Sequence, residues 1–144
     1  MQIHIYTIER KEEFPEAVAK FVEQARRFAS IHLHSVYSKK LAKASNPSHL
    51  YTELLLPFTR HGHNVVLTPE GELMDTPTFT RRFLNFGRVN FFIGGAYGFE
   101  EEFKKVGENL SLSPLTFSHQ IAKLVLLEQV YRGLTLKYGH PYHK

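Results

Sequence analysis

The stretch Val89-Asn90-Phe91-Phe92-Ile93-Gly94-Gly95-Ala96-Tyr97-Gly98 joins a mostly apolar run to a loop that has three glycines in five residues. A short apolar run of this kind is typical of a strand buried on both faces, as in a parallel sheet. Glycines let the chain turn sharply and let a ligand approach the main chain. The stretch therefore predicts a buried α/β strand followed by a candidate ligand loop. The same spacing also suits a tight strand-to-helix connection without a ligand.

Strands and helices alternate on both sides of this stretch. Alternating or apolar runs predict four further strands, at residues 2–8, 31–37, 64–68 and 110–112. Helical spacing of apolar residues predicts helices at residues 12–29, 48–60, 76–86, 99–106 and from 117 or 118 to about 137. Pro69-Glu70-Gly71 predicts a turn after the third strand, and residues 39–47 a polar basic loop. The order predicts one α/β domain over residues 1–144, with a mostly parallel sheet and helices on both faces.

The composition excludes several classes of protein. With 144 residues and a hydrophobic fraction of 42%, the chain can form one core, which excludes wholesale disorder. The absence of cysteine excludes disulfide scaffolds, cysteine nucleophiles and thiolate zinc sites. No apolar run approaches a membrane span and no signal peptide is visible, so we expect a cytoplasmic protein without a membrane partner. The nine histidines lack acidic partners at ligand spacing, so we expect no metal site.

The charge is unevenly distributed along the chain. Eighteen Lys and Arg against fourteen Asp and Glu give 18 − 14 = +4. Residues 109–144 hold four basic residues and one acidic residue, so that 4 − 1 = +3, and the other 108 residues contribute +1. This distribution predicts a local basic site in the C-terminal segment rather than a generally basic protein.

Three loops are candidate ligand sites because ligands of open α/β sheets bind beyond the carboxyl ends of the strands. They span residues 68–71, 94–98 and 112–119. The third loop is small, rich in hydroxyl groups and partly apolar, and could surround an adenine. It could equally be a segment that caps the last helix through Thr116 or Ser118.

The last helix and the tail are unusual. The helix is apolar around most of its circumference, which suggests a subunit interface or a central core helix. Glu128 and Arg132 form an i,i+4 pair on it, which is ordinarily a surface pair. The tail ends in Tyr142-His143-Lys144, residue types that can stack on a base, accept a proton and contact phosphate. A frayed terminus is the alternative interpretation.

Four blocks of sequence together resemble a known family. They are Phe92 to Gly98, Leu110 to Gln120, Leu126 to Arg132, and Pro141 to Lys144. In this order and at these separations they are similar to the RlmH family, the bacterial ribosomal RNA large subunit methyltransferases H of the SPOUT superfamily. The likeness covers over half of the chain.

The chain departs from the family pattern at a few positions. Ile8-Glu9-Arg10-Lys11 replaces the usual Gly-Lys after the first strand, so any RNA contacts made there are in question. Ser118 stands where Pro is usual, Lys123 where Arg is usual and Gly133 where Ala is usual.

The resemblance implies a fold, a cofactor and a substrate. It implies a C-terminal trefoil knot, a homodimer and S-adenosylmethionine as the methyl donor. The implied reaction is methylation of N3 of a pseudouridine in helix 69 of 23S rRNA in the 70S ribosome. By position, the resemblance places the cofactor against Leu67, Gly95, Leu112, Ser113, Pro114, Leu115, Thr116 and Phe117.

Four residues are candidates for the chemistry of this reaction. We expect His143 to act as the base or as an orienting group, and Tyr142 to stack on the target base. Arg132 is expected to hold a phosphate or the negatively charged imide, and His119 is the next candidate base. Two alternatives stay open: a non-enzymatic RNA- or nucleotide-binding α/β module, and a SPOUT methyltransferase that acts on another RNA such as tRNA.

Overall fold

A computed structural model describes all 144 residues and contains one five-stranded sheet. The strands are β1 (Gln2–Ile8), β2 (Ser30–Val36), β3 (His63–Glu72), β4 (Arg88–Ile93) and β5 (Glu108–Leu110). The helices are α1 (Pro15–Ala25), α2 (Pro47–Leu55), α3 (Thr76–Phe83), α4 (Glu101–Lys104) and α5 (His119–Lys137). The strand order is β2-β1-β4-β3-β5, and every neighbouring pair is parallel. The predicted α/β class is confirmed.

The sheet is covered on both faces because successive side chains of each strand point to opposite sides. In β1, Ile3 and Ile5 face the larger core, whereas Tyr6 and Ile8 face the smaller one. Helices α1, α3 and α5 contribute to the larger core. Helices α2 and α4 contribute to the smaller core, which confirms the prediction of helices on both faces. None of the helices is long and apolar enough to cross a membrane.

Several helices are shorter than their apolar periodicity predicted. Helix α1 begins at Pro15 and ends at Ala25, because the next residues form turns in which the Phe28 N–H bonds to the Ala25 carbonyl. Helix α2 is capped by the Asn46 side chain, which accepts from the His49 N–H. It ends at Leu55 and continues as a 3₁₀ turn over Leu56–Thr59, which includes a proline that lacks an N–H. The predicted basic loop contains a second 3₁₀ turn, Lys39–Lys43.

The turn predicted at Pro69-Glu70-Gly71 is wrong. Strand β3 runs on to Glu72, with an irregular register against β5 after Leu67. A Cβ atom on Gly71 would lie 2.6 Å from the carbonyl carbon of Leu110, so the glycine lets β5 approach closely. The Pro-Glu-Gly sequence marks an irregularity of the bulge type within the strand instead of a turn. Glycine allows a close approach of the backbone in both cases.

A buried ionic group joins the start of α5 to the end of β1. The Lys123 ammonium lies 2.6 Å from Glu9 Oε2 and also contacts Glu12. The Glu9 carboxylate accepts further hydrogen bonds from Ser35 Oγ at 2.6 Å and Gln120 Nε2 at 3.0 Å. Lys123 and Glu9 are only 3% and 4% exposed. The pair therefore neutralises two charges that would each be unstable alone in this buried position.

We expect Lys123→Met to lower the free energy of unfolding by about 3–5 kcal/mol, because it leaves the Glu9 carboxylate buried without its cation. Chemical denaturation measures the loss. Lys105→Met is the matched control, since Lys105 forms an exposed pair with Glu102, and it should change stability by less than about 1 kcal/mol. A Lys123→Met protein as stable as the parent would contradict the role of the pair.

Three histidines stack on one face of β1 and β2. The ring centroid of His4 lies 4.4 Å from that of His32 and 5.2 Å from that of His34. His4 Nδ1 and His34 Nε2 are 2.9 Å apart and share a hydrogen bond. Burial, with the nearby charge of Arg88 and the two histidines, lowers the pKa of His4 to about 4. His4 is 7% exposed and is therefore a neutral core residue at neutral pH.

This lowered pKa predicts a loss of stability in mild acid. Between pH 6.5 and about 4, His4 binds a proton in the unfolded chain but not in the folded chain. The contribution of His4 to the free energy of unfolding is therefore fully present above pH 6.5 and is lost as the pH falls through this range. The contribution is at most about 3 kcal/mol. His4→Phe should flatten the pH dependence of unfolding in this window, whereas the exposed control His61→Gln should not. An unchanged slope for His4→Phe would refute this account.

Candidate functional site

The glycine loop lies at the carboxyl end of β4. The Gly98 N–H donates to the Gly95 carbonyl at 3.1 Å, and Gly98 has a φ of +71°, which favours glycine. Ser48 Oγ of α2 donates to the Tyr97 carbonyl at 3.2 Å. Helix α2 therefore holds a tight turn at the edge of the sheet, and the Tyr97 side chain stays 73% exposed.

Gly95 is required by packing within the chain. A Cβ atom at this position would lie 2.8 Å from Cζ of Tyr51, a residue of α2 that is 4% exposed. Burial raises the pKa of the Tyr51 hydroxyl. Tyr51 was missed by the sequence analysis, although Gly95 was selected. Its contact with Gly95 depends on the side of the sheet that α2 covers, which no local pattern reveals.

The loop between β5 and α5 has a defined conformation. Ser111 Oγ donates to the Ser113 carbonyl at 3.0 Å, and the Leu115 N–H donates to Ser113 Oγ at 3.0 Å. Ser118 caps α5 by accepting from the Ile121 N–H, so Ser118 rather than Thr116 is the cap. The Leu115 side chain is 72% exposed. The loop thus presents apolar side chains and main-chain groups to the outside.

The three candidate loops share one edge of the sheet. Leu67 of β3 lies opposite Leu110 of β5, which immediately precedes the third loop. Strand β4, which precedes the glycine loop, pairs with β3 on its other side. The backbone N–H groups of Leu112, Thr116 and Phe117 have no partner among the hydrogen bonds of the chain. Free amides beside apolar side chains suit a nucleoside, whose base presents both polar edges and flat apolar faces.

The tail is anchored on α5, which excludes the frayed-terminus interpretation. Arg132 Nη2 lies 2.7 Å from Glu128 Oε1, and Arg132 Nη1 lies 3.2 Å from His143 Nδ1. The Tyr142 hydroxyl donates to Glu128 Oε1 at 3.4 Å. The structure therefore brings together three of the four candidate catalytic residues, and Glu128 holds two of them. The hydrogen bonds that Arg132 donates to Glu128 raise the pKa of its guanidinium, which stays charged.

The contacts of Tyr142 and His143 limit their chemistry. The Arg132 guanidinium carbon lies 4.8 Å from the Tyr142 ring centroid, and the Tyr131 ring centroid lies 4.6 Å away. Burial and the Glu128 charge raise the pKa of Tyr142, so its hydroxyl stays protonated. A guanidinium only donates hydrogen bonds, so His143 Nδ1 accepts and Nε2 carries the hydrogen. In this arrangement the Nε2–H of His143 is free to donate a hydrogen bond.

His119 stands apart from this cluster. It is the first residue of α5, and the 13 residues to Arg132 correspond to about 20 Å along the helix axis. The loop over residues 112–117 ends beside His119, whereas the tail packs against the middle of the same helix. The cofactor candidates and the tail candidates therefore form two groups that are separated within one chain.

Two of the four cations in the predicted C-terminal basic site are neutralised. Lys123 is paired with Glu9 and Glu12, and Arg132 with Glu128. The Lys137 ammonium donates to the Leu84 carbonyl at 2.8 Å, a neutral partner that leaves its charge uncancelled. Lys137 and Lys144 are therefore the free positive charges of this segment. No group of three or more His, Asp or Glu side chains is arranged to hold a metal ion.

Comparisons with known proteins agree with this fold. The family described as "Predicted SPOUT methyltransferase" matches residues 1–143. A ribosomal RNA large subunit methyltransferase H from Wolinella succinogenes is 42% identical over all of both chains. The proteins of that name from Nitratiruptor sp. and Aliarcobacter butzleri are 39% and 36% identical, over 99% and 100% of both chains. A putative methyltransferase from Legionella pneumophila, solved with bound SAM, superimposes with a TM-score of 0.56 at 15% identity, over 92% of this chain and 66% of its own.

The parallel sheet, with its ligand loops at the carboxyl edge and an anchored C-terminal tail, is that of a SPOUT methyltransferase. Proteins of this class have a C-terminal trefoil knot, as the resemblance implied. Within the class, the chain belongs to the family of ribosomal RNA large subunit methyltransferases H.

The contact between Gly95 and Tyr51 predicts how the glycine loop responds to substitution. Gly95→Ala should displace Tyr51 and shift the loop, lowering the affinity for S-adenosylmethionine at least about tenfold in a calorimetric titration. Adding Tyr51→Leu should recover part of the affinity, because the collision is removed. If the double variant binds as poorly as Gly95→Ala alone, the added methyl group acts on the ligand rather than on Tyr51.

Proposed function

We propose that this protein transfers a methyl group from S-adenosylmethionine to N3 of a pseudouridine in helix 69 of 23S rRNA, on the assembled 70S ribosome in the cytoplasm. The observation that carries the proposal is the anchored tail, in which Arg132, Tyr142 and His143 are held around Glu128. A frayed segment would not hold a partly buried tyrosine and a hydrogen-bonded histidine in fixed positions. The family and the relatives' names support rRNA as the substrate.

The residues at the carboxyl edge fit the proposed cofactor. Leu67, Gly95 and the six residues from Leu112 to Phe117 are the proposed contacts, with free main-chain amides for the adenine and apolar side chains against its faces. When bound, the cofactor supplies a methyl group on a positively charged sulfur. The loops then have to orient that methyl group and exclude water from it, and orientation of this kind can supply several orders of magnitude in rate.

The proposed roles of the tail residues follow from their hydrogen bonds. The target nitrogen must lose its proton before it bonds to the methyl carbon, and until that bond forms the negative charge spreads over the carbonyl oxygens of the base. Arg132 stabilises this charge, while Glu128 holds its guanidinium in place. His143 donates from Nε2 to one of those oxygens, and Tyr142 fixes the position of the tail against Tyr131. Because His143 donates in this arrangement, His119 at the end of the cofactor loop is the proposed acceptor of the proton.

The cofactor candidates and the tail candidates of one chain are about 20 Å apart. This separation supports a homodimer in which two subunits contribute to each site. The cofactor loops of one subunit and the tail of the other form the proposed site. Helix α5 leaves Ile121 38% exposed, and Leu115 at the adjoining loop is 72% exposed. These apolar side chains are available for contact with a second copy.

A subunit-mixing experiment tests this arrangement. One variant lacks residues 142–144 and keeps the cofactor loops; the other carries Gly95→Val and keeps the tail. Each alone should be inactive. Coexpressed, half of the dimers are mixed and each has one intact site, so about a quarter of the parental activity should return if the sites are shared. Sites contained within one chain would give no activity in the mixture.

The acceptor test separates the proposed function from its alternatives. Transfer of a labelled methyl group should occur to whole ribosomes from a strain that lacks the modification, and not to free 23S rRNA or to tRNA. Transfer to tRNA would identify another RNA as the substrate. Cofactor binding without transfer to any RNA would favour the non-enzymatic binding module.

A further inference from the structure

An acid-free segment carries a large excess of positive charge. Residues 24–52 contain no Asp or Glu but five Lys and Arg, so their charge of +5 exceeds the +4 of the whole protein. The other 115 residues hold thirteen basic and fourteen acidic side chains, a sum of −1. This segment therefore carries more excess charge than the +3 of residues 109–144.

The five cations lie at two ends of the sheet. Arg26 and Arg27 follow α1 and precede β2, so they lie at the amino edge. Lys39, Lys40 and Lys43 follow β2 in the 3₁₀ turn and lie at the carboxyl edge. We call these three residues the lysine turn. The cofactor loops occupy this same edge.

The lysine turn is next to the candidate site. Lys40 and Lys43 line an open groove with His49 of α2. His49 Nδ1 is 3.1 Å from Glu100 Oε1, and Glu100 lies two residues after the glycine loop. On its other side, the Arg10 guanidinium lies over the Tyr37 ring, 5.8 Å from its centroid, and brings the segment after β1 beside the start of the turn. A molecule that reached the cofactor from this direction would pass over these cations.

None of these cations has an anionic partner. The lysine turn, Arg10 and Lys11 are all exposed, and none of their side chains forms an ion pair within 4 Å. Of the nearby carboxylates, Glu9 and Glu12 are paired with Lys123. Glu53, which lines the same groove, and Glu100 contact His49 and form no ion pair with the lysine turn. Glu13 is exposed without a partner. Five free cations beside the site form a surface complementary to a polyanion.

We propose that the lysine turn, with Arg10 and Lys11, binds backbone phosphates of the RNA that carries the target base. This inference rests on the proposed function. The Gly-Lys expected after β1 is missing, but the chain has cations there at Arg10 and Lys11. The neighbouring lysine turn supplies three more. Phosphate contacts position an RNA without reading its sequence, which suits a small domain with one target.

The test is the triple variant Lys39→Gln, Lys40→Gln and Lys43→Gln. It should raise KM for ribosomes roughly 10- to 100-fold at low salt. The slope of log(kcat/KM) against log salt should become shallower by about 2, from three lost contacts at about 0.7 each. The matched control, Lys20→Gln, Arg26→Gln and Arg27→Gln, removes the same charge away from the site and should keep the parental values. Affinity for S-adenosylmethionine should be unchanged in both variants, which checks that they are folded.

The outcomes separate this inference from the proposed function. If the parent methylates ribosomes and the lysine variant has the same KM and salt slope, the inference is wrong and the function stands. A raised KM with an unchanged salt slope would indicate a contact other than phosphate, such as a ribosomal protein, and would also overturn it. If the parent methylates no RNA, the proposed function fails. Filter binding of a 23S rRNA fragment to the parent and to both variants then decides whether the lysine turn binds RNA phosphates.

Discussion

The buried pair between Lys123 and Glu9 is the interaction on which the arrangement of the site depends. It lies where the first turns of α5 meet the end of β1, and it closes a separation of more than a hundred residues. The loop over residues 112–117 leads directly into this helix, so the anchor of α5 also fixes the end of that loop. Both ions lose their hydration on burial, so each is stable in this position only when the other is beside it. The pair therefore specifies one position of the helix rather than a range of positions.

The sequence predicted the fold to the extent that the signals were local. The five strands were placed within a few residues, because apolar runs and alternation depend only on neighbouring residues. Pro69-Glu70-Gly71 was misread, because glycine serves both turns and bulges and the partner strand that decides between them lies about 40 residues later. The ends of α1 and α2 were overextended because apolar periodicity continues into turns that pack on the same core.

The site was predicted less completely than the fold. Residue patterns selected the carboxyl-edge loops and the tail, and the resemblance supplied the roles of their residues. The hydrogen bond between Arg132 and His143 decides which nitrogen of the ring carries a hydrogen, and no sequence pattern contains that information. The net charge of a segment was the weakest guide to where unpaired positive charge lies. Such a sum counts Lys123 and Arg132 in the same way as Lys39. Only the structure shows that the first two are neutralised by partners, whereas the third is free.

The strand order has a consequence for how the chain folds during synthesis. Strands β1 and β2 are close in sequence and adjacent in the sheet, but β1 also pairs with β4, so that Gln2 lies opposite Arg88. Parallel pairings between distant segments close slowly, because a long loop must be ordered before they form. The pairing of β1 with β4 can therefore form only after more than half of the polypeptide has been synthesised. The ionic contact with α5 can form only after nearly all of it has been synthesised. Until β4 has left the exit tunnel, one edge of β1 stays open and is free to pair with other strands.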